Sequence, residues 1–307
     1  SFLERTMTLA DWTWELLAGP ETITEGPAWD GDGLFFSSIQ KSEIRRYDPK
    51  TDAISVVYRD TMETNGLFLA PDGNLYACAH GGEVHRYDTS GNRTTLASHF
   101  DGKRLSSPND CVLDSQGRLW FTDPRYFSQE GRELDHCSVY RLTPNADGST
   151  PWQIERLTFD TARPNGLLLS ADERTLYLAE SDYFPGTIRE FRAYPVLDDG
   201  SLGAYTLLHS FGDARGIDGM CWATDGTIVA TCGSDQSGPG PRIAVFAADG
   251  TVLEEHPVPE SWPTNCLYGG PERTDLYVTT MNGHLYRVKD TGKVGVLAPP
   301  EVAPWRG

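Results

Sequence analysis

The feature that most restricts this chain is a six-fold internal repeat. Copies open at Glu25, Asn65, Asn109, Asn165, Asp218 and Asn265, so successive starts lie 40, 44, 56, 53 and 47 residues apart. The clearest copy, NGLFLAPDGNLYACAHGGEVHRYD, runs from Asn65 to Asp88. Each reads as a polar residue, a short apolar strand, a turn, a second apolar strand, a loop, and a third strand ending near an aromatic. A strand repeat of roughly 40–50 residues is the length of a β-propeller blade, which buries its faces only by stacking on neighbouring blades. Six copies predict an all-β, six-bladed β-propeller with a central channel. An open β-solenoid is the competing architecture, but its repeats are normally shorter. The turns agree with the propeller: Asp72-Gly73, Asp147-Gly148, Asp199-Gly200, Asp225-Gly226 and Asp249-Gly250 all favour tight hairpins. No window longer than a few turns carries a helical period. Residues 1–307 are expected to form a single propeller domain. The N-terminal WTWELLAG and the C-terminal LYRVKDTGKVGVL would share the last blade and hide its edges.

The residue that opens each repeat is one that strand propensity would not select. In a propeller the first strand of each blade lines the channel, so these six positions form a ring of two carboxylates and four amides. All offer oxygen. Hard cations take six to eight oxygen ligands, and two carboxylates beside each other are relieved by a divalent charge. Asn-Gly and Asp-Gly are also turn dipeptides. That explains Asn65 or Asn165 singly, but not Glu25, which precedes Gly26-Pro27.

Charge narrows the partners. With 26 Lys+Arg against 44 Asp+Glu the net charge is −18, a field that repels nucleic acid and anionic membrane surfaces. It suits a cation or a small neutral or cationic ligand. No apolar run is long enough for a transmembrane helix, and SFLERTMTLADW lacks the pattern of a signal peptide. The six cysteines form no CxxC pair and mostly sit among strand-like apolar residues, which favours core thiols, a reducing compartment and a cytoplasmic location. The composition leaves the oligomeric state open.

Several stretches, in order and in register with the repeat, carry a resemblance. They are Glu25-Gly26-Pro27, Ser107-Pro108-Asn109-Asp110, Arg163-Pro164-Asn165-Gly166 and Asp218-Gly219, supported by HGG at 80–82, WFTDP at 120–124 and LYLAES at 176–181. Over residues 20–290 the chain resembles the regucalcin (senescence marker protein), gluconolactonase and luciferin-regenerating-enzyme family, and among these the bacterial gluconolactonases. The resemblance implies one divalent ion in the channel, calcium first, with Zn²⁺, Mg²⁺ or Mn²⁺ as alternatives. Carried over by motif, its ligands are Glu25, Asn109, Asn165 and Asp218. Asn65 and Asn265 hold equivalent blade positions without matching as ligands, and belong to the channel wall or to bound water. One position departs from the family: regucalcin-type members have a substrate-contacting Arg two residues before the matching Asn, where this chain has Ser107.

The implied reaction is hydrolysis of a small lactone, with the ion polarising the carbonyl and Asp218 serving as ligand and base. Asn65, His80, Asp123 and Tyr126 are the expected substrate contacts, with Arg125 beside them and Tyr183 and Phe184 as a wall of the mouth. The competing readings are a calcium-dependent phosphotriesterase of the diisopropylfluorophosphatase type and a non-catalytic, ligand-binding propeller. GxSxG, Walker, HExxH and Cys/His zinc patterns are absent from the sequence.

Overall fold

The computed structural model describes residues 11–126, 128–183 and 186–296. Six four-stranded antiparallel meanders surround one axis. Blade one comprises Thr24–Trp29, Leu34–Ser38, Glu43–Asp48 and Ala53–Tyr58, and blade two Thr64–Leu69, Leu75–Ala79, Glu83–Tyr87 and Arg93–Ala97. Blade three holds Cys111–Leu113, Leu119–Asp123, Ser138–Thr143 and Gln153–Arg156. Blade four holds Pro164–Leu169, Thr175–Ser181, Arg189–Pro195 and Thr206–Ser210. Blade five runs through Ile217–Ala223, Ile228–Ser234, Ser237–Phe246 and Val252–Pro257. Blade six combines Pro263–Gly269, Asp275–Thr280 and Leu285–Val288 with the N-terminal strand Trp14–Ala18.

The repeat in the sequence shows three strands, and the structure adds a fourth on the outside of each blade. These outer strands are half-solvated: Ala53–Tyr58 alternates exposed and half-buried residues, whereas every residue of Thr24–Trp29 is buried. An inner strand is covered on both faces and reads as a continuous apolar run, while an outer strand alternates and gives a weaker signal.

The N-terminal strand closes the ring by pairing antiparallel with Leu285–Val288, Trp14 opposite Val288. Trp14 also donates its indole N–H to the Pro257 carbonyl at 3.0 Å, and Trp12 stacks on His256 at 3.7 Å. The C-terminal stretch divides. Leu285–Val288 lies in blade six, but Gly295 and Val296 pair with Ala223 and Trp222 of blade five. Leu297, the last residue of that stretch, lies outside the described residues.

Blades are tied to one another by second-strand and first-strand hydroxyls. Ser37 Oγ donates to the Asn65 carbonyl at 2.8 Å, Thr231 Oγ1 to that of Thr264 at 3.0 Å, and Thr264 Oγ1 to that of Thr24 at 2.8 Å. Apolar packing fills the space between blades, with Trp120, Phe121 and Tyr140 among the buried residues of its largest cluster. All six cysteines are free and buried. Among the described residues no helix is long and apolar enough to cross a membrane.

Candidate active site

The polar end of the channel is made by one local irregularity, repeated. In five blades the pairing between first and second strands slips beside the opening polar residue: between Glu25 and Ala28, Thr64 and Leu67, Pro164 and Leu167, Ile217 and Met220, and Pro263 and Asn265. Such bulges re-aim a side chain at the end of a strand. The glycine that follows is there for space. A Cβ on Gly66 would stand 2.4 Å from the Asn109 carbonyl oxygen, and one on Gly166 would stand 2.3 Å from that of Asp218. Neither glycine has a positive φ. The Asn-Gly pairs at 65–66 and 165–166 are therefore close-approach sites between neighbouring inner strands, not turns.

All six ring residues are buried, between 2% and 7% exposed. Glu25, Asn65, Asn109 and Asp218 line a small cavity of about 40 Å³ together with His80, Tyr126 and Tyr183. Asn165 reaches the same place through its Nδ2, which donates to Tyr126 Oη at 2.8 Å. Asn265 sits below: its Nδ2 donates to Glu25 Oε2 at 3.0 Å, and it lines the second, lower cavity of about 70 Å³.

Electrostatics marks this end as charged at a cost. Burial, then repulsion from Asp218 and Asp110, holds the Glu25 carboxyl well above the usual carboxylate range, in spite of its bonds from the Gly26 amide and Asn265. Burial pushes Asp218 up to about 6, against the pull of the Arg215 guanidinium. Arg215 Nη2 donates to Asp218 Oδ2 at 2.5 Å. Asn65 donates Nδ2–H to His80 Nε2 at 2.7 Å. His80 thus accepts as a neutral ring, consistent with a pKa lowered to about 4 by burial and by Arg125. Asn65 Oδ1 is left buried without a donor, and an orphaned acceptor in a polar channel calls for a cation, water or hydroxyl beside it.

The donor set fits a hard divalent cation. Among the described residues no group of three or more His, Cys, Asp and Glu side chains is arranged to hold a metal. The candidate set here is two carboxylates with amide oxygens from Asn109 and Asn165, which is oxygen chemistry suited to Ca²⁺ or Mg²⁺ more than to thiophilic ions.

The remaining residues named from the sequence divide. Tyr126 stacks on Tyr183 with centroids 4.6 Å apart, and Tyr183 meets Trp262 edge-on at 5.5 Å. Together they wall one side of the mouth. Phe184, the other expected wall residue, lies outside the described residues. Asp123 is fully buried, and its two oxygens accept from the Ser106 and Ser107 amides at 2.9 and 2.6 Å. It braces the loop that delivers Asn109. Glu180 does the same one blade on, accepting from the Ala162 and Arg163 amides ahead of Asn165. Arg125 likewise spends its guanidinium on the backbone carbonyls of Ser106, Ser128 and Glu130.

Three residues escaped sequence reasoning. Asp110 occupies the place that is glycine in blades one, two, four and five, and it lines the lower cavity. Burial, together with repulsion from Asp218, pushes its carboxyl up to about 7. Aligning the repeats on their second residue would have exposed it. Arg215 and Trp262 come from the loops ahead of blades five and six, where the repeat carries no pattern.

With this geometry in view, kinship can be assigned. The family described as SMP-30/Gluconolactonase/LRE-like region matches residues 23–282. The chain belongs to that family. A gluconolactonase from Zymomonas mobilis is 28% identical over 302 residues, covering 91% of this chain and 82% of the relative. A pentonolactonase from Haloferax volcanii is 28% identical over 265 residues, covering 85% and 82%. Among solved structures, a gluconolactonase from Xanthomonas campestris superimposes with a TM-score of 0.77 at 30% identity, covering 92% of this chain and 90% of that one. The protein is a lactonase-family propeller, and its ring residues occupy the axis of that fold.

Proposed function

We propose that the polar end of the channel hydrolyses a sugar lactone, an aldonolactone of five or six carbons, to the open hydroxy acid. The observation that carries this reading is the convergence of Glu25 and Asp218 with amide side chains on one small cavity walled by Tyr126 and Tyr183. Relatives that act on gluconolactone and pentonolactone support the substrate class. Glu25, Asn109, Asn165 and Asp218 would hold a divalent cation, calcium before zinc, magnesium or manganese. When bound, that cation supplies Lewis-acid polarisation of the ester and compensates negative charge that develops on it.

The chain's own residues do the rest. Arg215 donates to Asp218 Oδ2 and so orients that carboxylate. Asp218 takes a proton from the attacking water as the water oxygen bonds to the lactone carbonyl carbon, and returns it to the ring oxygen when the C–O bond breaks. The product acid then ionises, so each turnover releases one proton to solvent. The stacked face of Tyr126 and Tyr183 offers a flat apolar surface for ring C–H groups. Asn65 Oδ1 is the free acceptor for a substrate hydroxyl. Ser107, with its short side chain, leaves the role of the regucalcin-type arginine to other groups.

The test is a panel of glucono-δ-lactone, five-carbon aldonolactones and a phosphotriester, followed by pH indicator against the spontaneous rate. Turnover confined to the lactones is expected. Hydrolysis of the phosphotriester alone would move the activity to the phosphotriesterase reading. No release from any substrate with any of the four cations would leave a binding protein.

A further inference from the structure

Arg215 is 3% exposed, a cation buried beside Asp218, one of the two carboxylates of the ring. Nη2 bonds Asp218 Oδ2 at 2.5 Å, while Nη1 bonds the carbonyls of Gly233 at 3.1 Å and Pro263 at 2.9 Å. The guanidinium carbon lies 5.0 Å from the Trp262 ring centre and 6.0 Å from that of Tyr183. Two features make its position costly. Its Nε is buried with no partner among the described residues, which costs stability. Trp262, which covers it, is held at φ +60°, a left-handed conformation that a bulky side chain adopts only under constraint. Costs of this kind gather where a charge is used.

We propose that Arg215 is a built-in counter-charge that weakens cation binding at the ring in order to keep the bound cation electrophilic. This rests on the reading of Glu25, Asn109, Asn165 and Asp218 as the cation site. Glu25 and Asp218 carry two negative charges, which would neutralise a divalent ion completely. Arg215 adds one positive charge in direct contact with one of the ligands. Arg215 offsets part of the negative charge that Glu25, Asp218 and the neighbouring Asp110 present, so a carbonyl or developing oxyanion placed there meets a less compensated cation. Arg215 also takes up one acceptor site of Asp218 Oδ2, which leaves that carboxylate fewer sites to offer a cation. Arg215 touches neither the reacting atoms nor the cation. It is a positioning residue, acting through Asp218.

The experiment is calorimetric titration of calcium alone into chelator-stripped native protein, Arg215→Met and Arg215→Lys, with melting temperatures recorded with and without calcium. Arg215→Met keeps the length and the apolar packing and removes the charge. It should bind calcium about tenfold or more tightly, the scale of one unit charge a few ångström away in a partly buried site. Its melting temperature should rise more on calcium addition than that of the native protein, while lactone turnover falls. Arg215→Lys keeps the charge, and its calcium affinity should stay near native. If Arg215→Met folds and binds calcium no more tightly than native protein, Arg215 is a structural clamp and the proposal is wrong. If Arg215→Met fails to fold, the decision passes to Arg215→Gln, which removes the charge and keeps hydrogen-bond donors: tighter calcium binding than native supports the counter-charge, and unchanged binding overturns it. If the native protein binds no cation, the reading of the ring itself fails, separately from the role of Arg215.

Discussion

The two ends of the channel are built by the same six strands, one to three residues apart, and they differ in how many ring side chains converge on them. At the upper end Glu25, Asn65, Asn109 and Asp218 share a cavity of about 40 Å³ with Tyr126, Tyr183 and Met281. At the lower end Leu67, Cys111, Leu167 and Met220 line about 70 Å³, with Asp110 and Asn265 as the polar groups among them. Between them lies the row of close approaches at Gly66 and Gly166. The lesson is positional. In blades one, two, four and five the opening polar residue is set off from the packing residues by a border of bulge and glycine, whereas blade three places Asp110 where that glycine stands.

The sharpest way to break the comparison is one substitution on each side of the border. Glu25→Gln should cut kcat/KM by roughly 10²–10³-fold, the scale of removing one preorganised charge from a buried site, with the fold intact by circular dichroism. Leu167→Ala, at a position 2% exposed, should instead lose roughly 2–5 kcal/mol of stability in urea unfolding and keep kcat/KM within about threefold. Equal loss of activity in both would erase the distinction between the two ends.

The border itself comes next. A Cβ at position 166 would meet the Asp218 carbonyl at 2.3 Å, so Gly166→Ala should cost about 1–3 kcal/mol. Because the atom it displaces belongs to Asp218, activity should fall as well. Unchanged activity in a destabilised Gly166→Ala protein would separate the border from the site.

The smallest expected effect concerns pH. Asp110 has an ordinary pKa of 3.8, raised to about 7 in the fold by burial, so the metal-free folded protein binds a proton there that the unfolded chain releases. Stability from this group is therefore present below pH 4 and is lost as pH rises towards 7. Asp110→Asn escapes that loss, so its stability relative to the native protein should climb across pH 4–7 in chelator. A flat difference over that range would show that Asp110 ionises freely.

Much of this was legible in the sequence, for a physical reason. An inner strand covered on both faces admits few polar residues, so Glu25, Asn109, Asn165 and Asp218 stood out against their own blades. The outer strands did not. Segments such as Ala53–Tyr58 and Gln153–Arg156 are half-exposed, and their alternation is short. Asp123 was legible as important but not as what it is: an acid before proline at a strand end reads equally as a substrate contact, a turn or a brace, and only the Ser106 and Ser107 amides decide between them. Arg215 and Trp262 were illegible because they reach the ring from loops whose paths the repeat does not encode. Their partners, Asp218, Gly233 and Pro263, belong to two different blades.

The most direct test of the central claim, that the ring is a single hydrolytic centre, is proton release from glucono-δ-lactone by the native protein and by Asp218→Ala. Each would be assayed with calcium, after chelation, and after calcium is returned. The account predicts release above the spontaneous rate that disappears on chelation, returns with calcium, and is absent from Asp218→Ala throughout. Release that survives both chelation and the loss of Asp218 would contradict it and place the chemistry elsewhere on the propeller.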